Sequence, residues 1–105
     1  MAPYRLAAAK GDATAQFILG IKYEEELNDD EAVRWFRQAA DQGHVAAQFY
    51  LGVAYNYGEG VEQSDEWAAR WYRQAANQGD ADAAQSCLEV EAAIAAAEAK
   101  AAENK

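Results

Sequence analysis

A nine-residue phrase that occurs twice in full constrains the fold of this chain more than any other feature. Residues 35–43 read WFRQAADQG and residues 71–79 read WYRQAANQG, while residues 3–11 (PYRLAAAKG) form a degenerate copy. The glycines that close the three copies are 32 and 36 residues apart. Self-similarity at such a period is the signature of a repeat array, in which each unit stacks on its neighbours.

Composition predicts that the repeats are helical. The chain is rich in Ala, Glu, Gln and Arg, it has one proline, and strand-like alternation is absent, so helix propensity is high nearly throughout. Hydrophobic residues make up 51% of the chain, but many are alanines, which bury little area. The core must therefore rely on the three Trp, six Tyr and three Phe. At 105 residues, a single domain over 1–105 is expected.

Glycines and capping residues divide this domain into segments. In the N-terminal segment we expect the back half of a helix pair, because it matches only the closing phrase. The chain thus opens in the middle of a repeat, which leaves open whether residues upstream have been removed. After residue 88 no helix breaker follows, and one long terminal helix to about residue 102 is predicted. The expected segments are a half-repeat at 3–11, a first repeat at 12–43, a second repeat at 44–79, and a C-terminal capping helix at 80–105.

Three polar residues are predicted to cap helix N-termini, namely Asp12, Asn28 and Ser64, because their side chains can accept a hydrogen bond from the first helical turn. Gly20 and Gly52 lie inside the first helix of each pair. A glycine in mid-helix costs about 1 kcal/mol relative to alanine, and close approach of a neighbouring helix is the usual compensation. We therefore expect a helix to pack closely at both glycines.

A loop of sequence GEGV at residues 58–61 joins the helices of the second unit and is missing from the first. Its glycines permit positive φ angles, and we predict that Val61 packs inward. Its absence predicts a tighter turn in the first pair.

The combination of LGxxY, a GxGV loop and a closing WYRxAAxxG resembles the Sel1-like (Sel-one-like) repeat family, relatives of the tetratricopeptide repeats. The resemblance covers residues 3 to about 88; Glu62 departs from it, because proline usually follows the loop motif. The resemblance implies an all-α, right-handed α-solenoid of antiparallel helix pairs, here about two full repeats with half-repeat caps. It further implies that the first helices line the concave side, that the chain is an adaptor for proteins or peptides, and that no cofactor is bound.

The net charge of −9 argues against binding to nucleic acid or to an anionic membrane, since both need a basic surface. It favours solubility or a basic partner, such as the target of an inhibitor or immunity protein. No N-terminal stretch is apolar enough for a signal peptide or a membrane span. A single cysteine, Cys87, allows no internal disulfide. A soluble protein of the bacterial cytoplasm or periplasm is expected, with the compartment left open.

No catalytic or metal-binding constellation is evident. The acidic run EEELNDDE at residues 24–31 lacks the glycine that a calcium loop needs, so a solvated helix end is the favoured interpretation. His44 is the only histidine and lies at a helix start, and no base is close to Cys87 in sequence. A nucleophile needs a positioned base and an oxyanion site. We therefore expect neither an enzyme nor a metal protein.

Functional residues are expected at positions that the repeat motif does not specify. These positions lie on the face of the first helices that the motif residues leave free. Tyr50 and Tyr57 are efficient contact residues, but packing between repeats explains aromatic residues at this spacing equally well. The face comprises Thr14, Ile18, Ile21 or Lys22, and Glu25 in the first unit, and Ala46, Tyr50, Val53 or Ala54, and Tyr57 in the second. From it, the predicted partner-binding residues are Ile18, Lys22, Glu25, Tyr50, Ala54 and Tyr57.

An alternative function is self-association through the last helix. Apolar residues between 87 and 101 follow spacings of three and four, as in a coiled-coil seam. Because two of the five are alanines, which bury little area, a monomer is favoured over a homodimer, and we expect the stripe to pack back on residues 64–78. The seam consists of Cys87, Val90, Ile94, Ala97 and Ala101.

Overall fold

The computed structural model describes residues 3–104, so residues 1, 2 and 105 of the predicted domain lie outside it. Within that range the chain forms six α-helices and no strand, which confirms the predicted all-α solenoid of antiparallel helix pairs. The helices are α1 (Pro3–Ala9), α2 (Ala13–Glu25), α3 (Asp29–Asp41), α4 (Val45–Tyr57), α5 (Asp65–Asn77) and α6 (Ala81–Glu103).

The helices begin where polar caps were predicted. The side chains of Asp12, Asn28 and Ser64 each accept a hydrogen bond from the backbone N–H three residues on, at 2.8, 3.4 and 3.2 Å. His44 and Asp80 do the same for α4 and α6, at 3.1 and 2.9 Å. Five helices thus start on a side chain that satisfies one of the free N–H groups of the first turn.

Helices α1, α3 and α5 end on the glycine that closes each copy of the phrase. These glycines have φ between +90° and +101°, and the next residue donates its N–H to the carbonyl five residues back, as from His44 to Ala39 (3.2 Å). This is the Schellman motif. Helix α2 ends on the same pattern, with Asn28 donating to Tyr23 (2.9 Å), but Leu27 occupies the glycine position at φ +59°.

The helices of each pair meet at the mid-helix glycines, as predicted. A Cβ added to Gly20 would lie 2.6 Å from the ring of Phe36, and one added to Gly52 would lie 2.6 Å from the ring of Tyr72. Both rings are almost fully buried. Each glycine therefore forms the socket into which the second helix of its pair inserts an aromatic side chain.

The GEGV loop, which connects α4 to α5, packs against the first helix pair. Gly60 has φ +76°, and a Cβ there would lie 2.4 Å from the carbonyl oxygen of Asp29 and 2.9 Å from Val33. Val61 is half-buried and packs against the central core cluster. The predicted inward packing of Val61 is confirmed, and the loop of the second pair rests on the start of α3 in the first.

Buried glutamines tie successive helices together. The amide of Gln16 donates to the carbonyl of Ala8 (3.3 Å) and its oxygen accepts from Gln42 (2.8 Å). In the next unit Gln48 and Gln78 repeat the arrangement, with a Gln78-to-Gln48 distance of 2.8 Å. A buried amide without partners would be costly, so these hydrogen bonds favour one register between units.

The molecule is a two-layered, elongated stack. Each helix packs chiefly against the helices before and after it in the chain, which places α2, α4 and the start of α6 in one layer and α1, α3 and α5 in the other. Its radius of gyration is 15.2 Å, against about 13 Å for a compact domain of this length. No helix within residues 3–104 has the length and apolar character needed to cross a bilayer.

Candidate functional site

The predicted contact residues of α2 lie on an exposed face. Ile18 is 38% exposed, and Lys22 and Glu25 are also exposed. They follow one another at spacings of four and three, so they form one stripe along the helix. We call the surface formed by this stripe and the exposed end of α4 the first-helix face.

The predicted residues of α4 divide into surface and core. Tyr57 ends the helix and is 70% exposed, so it belongs to the first-helix face. Ala54 is 6% exposed and clusters with Val33 and Leu51. The prediction that Ala54 contacts a partner is therefore wrong, because its side chain is part of the core. The equivalent position in α2 is Lys22, which is exposed because no helix pair precedes it in the described chain.

Tyr50 belongs to an aromatic cluster between the two units. Its ring centroid lies 5.2 Å from that of Phe17, 5.4 Å from that of Phe36 and 6.2 Å from that of Phe49, in edge-on and tilted arrangements. Such contacts stabilise packing by about 0.5–1.5 kcal/mol beyond the buried area. The geometry therefore favours the packing role for Tyr50, and leaves Tyr57 as the exposed tyrosine of this face.

Carboxylates gather where the C-terminal end of α2 meets the loop that follows Tyr57. Burial raises the pKa of Glu24, and the negative charges of Glu59, Asp29 and Glu25 raise it further. The like charges of these three carboxylates are therefore close enough to repel that of Glu24. The loop-side end of the first-helix face is therefore a negative surface on which a cation would be stabilised.

Cys87 and His44, which could in principle act as a nucleophile or a metal ligand, have structural roles here. Cys87 is buried, its thiol lies 3.7 Å from the carbonyl of Ala69, and burial raises its pKa, so the thiol stays protonated at neutral pH. The His44 ring stacks on Phe17 with centroids 4.9 Å apart while its Nδ1 caps α4. Across residues 3–104, no three His, Cys, Asp or Glu side chains are grouped so that they could hold a metal ion.

The apolar stripe of α6 is largely occupied. Cys87 and Val90 are buried in a cluster with residues of α5, and Ile94 packs against the same cluster. Ala97 and Ala101 are exposed. The predicted packing of the stripe on the preceding helix is thus observed over its first half, and only alanines of the seam face solvent beyond it.

A second surface was missed by the sequence analysis. Arg37, Tyr55, Trp67 and loop residues 61–64 line an open cleft of about 540 Å³ between α3 and α5. Trp67 is 47% exposed and stacks on Tyr55, with ring centroids 6.0 Å apart. Alignment of the two units could have revealed this surface, because Trp67 occupies the position of Glu31 in the first unit. The expectation that tryptophan fills the core concealed it.

The stacked helix pairs, the glycine sockets and the glutamine links define an all-α solenoid repeat protein. Two Sel1 repeats match residues 13–44 and 45–80, which together exceed half of the chain. The chain belongs to the Sel1 repeat family. Proteins built from Sel1 repeats are generally non-catalytic scaffolds that serve in protein interactions. Comparison with curated protein sequences yields no significant match.

Solved structures share this architecture. A protective antigen present in uropathogenic Escherichia coli strains, which displays an SLR fold, is 44% identical with a TM-score of 0.77 over 83% of this chain. The chain spans only 19% of that antigen. A Sel1 repeat protein from Oxalobacter formigenes is 32% identical with a TM-score of 0.78, over 82% of this chain and 68% of its own.

Proposed function

We propose that this chain is a non-catalytic module that binds a protein or peptide through the first-helix face, as an adaptor or as an inhibitor or immunity-type binder. The observation that carries the proposal is Tyr57, which is 70% exposed at a position that the repeat does not use for packing. Tyrosine supplies a large contact area at low entropic cost, and it is enriched at protein interfaces. Ile18, 38% exposed, adds an apolar contact on the same face.

The partner is proposed to be basic where it meets Tyr57. Glu59, Asp29 and Glu25 lie close enough to raise the pKa of Glu24 beyond the effect of burial, and the whole chain carries a net charge of −9. A lysine or arginine of the partner would relieve the repulsion among these carboxylates. Charges at the rim of an interface act mainly on the association rate and its salt dependence.

The test is to capture partners from lysate of the native host with the purified chain, and then to titrate the captured protein against variants by calorimetry. Tyr57→Ala is expected to weaken binding about tenfold or more, as for an interface anchor, with little change in melting temperature. The matched control is Leu6→Ala, because Leu6 is 53% exposed on α1 in the other layer and should leave affinity unchanged.

The contribution of the carboxylates is tested with the same captured partner. Glu24→Gln combined with Glu59→Gln is expected to slow association most at low ionic strength, because screening already weakens these charges in high salt. Asp82→Asn combined with Glu98→Gln, two exposed changes on α6, serves as the charge-matched control. Unchanged affinity in Tyr57→Ala and in the double glutamine variant would exclude the first-helix face as the contact.

A further inference from the structure

Two features that form the cleft beside Trp67 have no counterpart in the first unit. Glu31 occupies the position of Trp67, and a short turn at residues 26–28 takes the place of the loop at residues 58–64. Helices α2 and α3 nevertheless pair through the same glycine–aromatic socket as α4 and α5. The fold therefore requires neither the exposed tryptophan nor the long loop, and the surface that they form is open to a ligand.

One wall of the cleft is aromatic. Tyr55 and Trp67 stack with their ring centroids 6.0 Å apart and 26° between the ring planes. Half-buried Val61 adds to the apolar part of the lining. Trp67 is 47% exposed, so nearly half of its surface is not used in packing. A ligand with an apolar surface would gain free energy by covering this part of the indole.

The lining of the cleft carries no net charge. Its charged residues are Arg37 and Glu62, which have opposite signs. The guanidinium of Arg70 lies 4.8 Å from the centroid of the Trp67 ring, but it lines a separate groove that also contains three glutamates. A charged ligand would meet one like charge in the cleft for each unlike one. The occupant is therefore expected to be uncharged.

Hydrogen-bond donors predominate beside the aromatic wall. The Tyr55 hydroxyl accepts a hydrogen bond from Arg37, so its own O–H is left to donate. The indole N–H of Trp67 can only donate, and the guanidinium of Arg37 has further N–H groups. The carboxylate of Glu62 is the part of the lining that can only accept. The ligand that fits this wall accepts hydrogen bonds and has few donors of its own.

We propose that this cleft binds an uncharged, proline-rich peptide segment in the polyproline II conformation. Proline has no backbone N–H, so such a segment offers carbonyl oxygens as acceptors and few donors. A polyproline II helix makes no internal hydrogen bonds, so its carbonyls are available to Tyr55, Trp67 and Arg37. Its rigid form loses little entropy on binding, and aromatic-lined grooves are a general way to recognise it. The apolar pyrrolidine rings would cover the exposed part of Trp67.

The experiment titrates the full chain with acetyl-Gly-Pro-Pro-Ala-Pro-Pro-Gly-amide, and with a control peptide in which alanine replaces each proline. Binding is followed by calorimetry and by tryptophan fluorescence. The proline peptide is expected to bind saturably, with an affinity that changes less than about twofold between low and high salt, because it has no charge to screen. The alanine peptide is expected to bind at least about tenfold more weakly, because it is not preorganised.

A first pair of variants locates the binding site. Trp67→Glu gives the second unit the residue that the first unit has at this position, so the melting temperature should change little. Affinity for the proline peptide should fall at least about tenfold, as for an interface hot spot. Tyr57→Ala removes another exposed aromatic ring, on the first-helix face, and should leave peptide binding unchanged.

A second pair tests the hydroxyl donor. Tyr55→Phe and Tyr23→Phe remove a hydroxyl at the same register of the two units, and Arg5 is the equivalent of Arg37. Only Tyr55 has a tryptophan beside it in the cleft. Tyr55→Phe is expected to weaken binding about two- to tenfold, as for the loss of one neutral hydrogen bond, and Tyr23→Phe less than about twofold.

Three outcomes would overturn the proposal, namely no saturable binding of the proline peptide, equal binding of the alanine peptide, and equal losses in Tyr55→Phe and Tyr23→Phe. A neutral glucose oligosaccharide, cellopentaose, is titrated in parallel. If cellopentaose binds saturably, loses binding in Trp67→Glu, and the proline peptide does not bind, the cleft is a carbohydrate site instead. The cleft and the first-helix face share no residue, so failure here leaves the proposed function standing.

Discussion

At the scale of single residues, the backbone φ angle of Leu27 carries a cost in free energy. It occupies the left-handed position of the Schellman motif that ends α2, at φ +59°, and its side chain is 88% exposed. The left-handed region costs a non-glycine residue about 1–2 kcal/mol, and part of this is regained by glycine. We therefore predict that Leu27→Gly raises the free energy of unfolding by about 0.5–1 kcal/mol, measured by urea denaturation. Leu27→Ala, which keeps the steric cost, should give no such gain.

His44 is predicted to make stability depend on pH. Burial lowers its pKa, with an opposing contribution from Asp12, while its Nδ1 must stay unprotonated to accept the Ala47 N–H. Below about pH 6.5, the ordinary histidine pKa, the unfolded chain binds a proton that the folded chain resists. The contribution of His44 to the free energy of unfolding is thus fully present above that pH. It is lost as the pH falls toward the lowered pKa of the folded state.

The measurement is the melting temperature between about pH 7.5 and 5.5, a window chosen around the ordinary histidine pKa. Wild type should lose stability on acidification. His44→Asn should melt lower at pH 7.5, because the stacking on Phe17 is lost, but should show a flatter profile. Asp80→Asn, at the equivalent cap of α6, should keep the wild-type slope; equal slopes in all three proteins would contradict the role of His44.

At the scale of elements, the glycine sockets determine how closely helices pair. Alanine at Gly52 would gain about 1 kcal/mol of helix propensity, but its Cβ would lie 2.6 Å from the buried Tyr72 ring. Since overpacking costs about 1–3 kcal/mol, we predict a net loss of up to about 2 kcal/mol on chemical denaturation.

Helix α6 supplies the matched control for the socket. Leu88 of α6 lies 36 residues after Gly52, one repeat length, and is 64% exposed because no helix of residues 3–104 packs against it there. Leu88→Ala should therefore change stability by less than about 0.5 kcal/mol. A rise in stability for Gly52→Ala would show that the ring moves freely and that the socket is unimportant.

The sequence alone predicts most of these elements, because each depends on a local and repeated signal. The repeated phrase predicts α3 and α5, Asp12, Asn28 and Ser64 predict helix starts, and Gly20 predicts the approach of a neighbouring helix. The glutamine links escaped prediction, since their partners lie in different helices. Gln42 and Gln16, for example, are 26 residues apart, so only the stacking of the units brings them together.

The candidate site is less predictable than the fold, because exposure depends on neighbouring units. Tyr50 and Tyr57 are indistinguishable by residue type and helical spacing. The structure separates them, since Phe17 of the preceding unit covers Tyr50, whereas Tyr57 is 70% exposed and is covered by no aromatic ring of residues 3–104. Trp67 shows the converse, because a residue type expected in the core lies on the surface where the repeat pattern breaks.

At the scale of the whole molecule, the extended stack is predicted to be monomeric. The apolar stripe of α6 is already used by Cys87 and Val90, and the exposed remainder, Ala97 and Ala101, offers little area for a partner helix. Light scattering after size exclusion should therefore give a mass near 11.5 kDa at micromolar concentration. A mass twice that value, which falls to that of a monomer in Ala97→Glu, would instead support self-association through α6.

The proposal that the first-helix face binds a partner is tested most directly by site-specific photo-crosslinking in the native host. A benzophenone amino acid replaces Tyr57, with separate controls at Leu6 and at Trp67. One dominant crosslinked partner is expected from position 57, in lower yield when Glu24 and Glu59 become glutamine, and no such product is expected from position 6. Crosslinks confined to position 67, or none at 57, would contradict the claim that Tyr57 and its carboxylates form the binding surface.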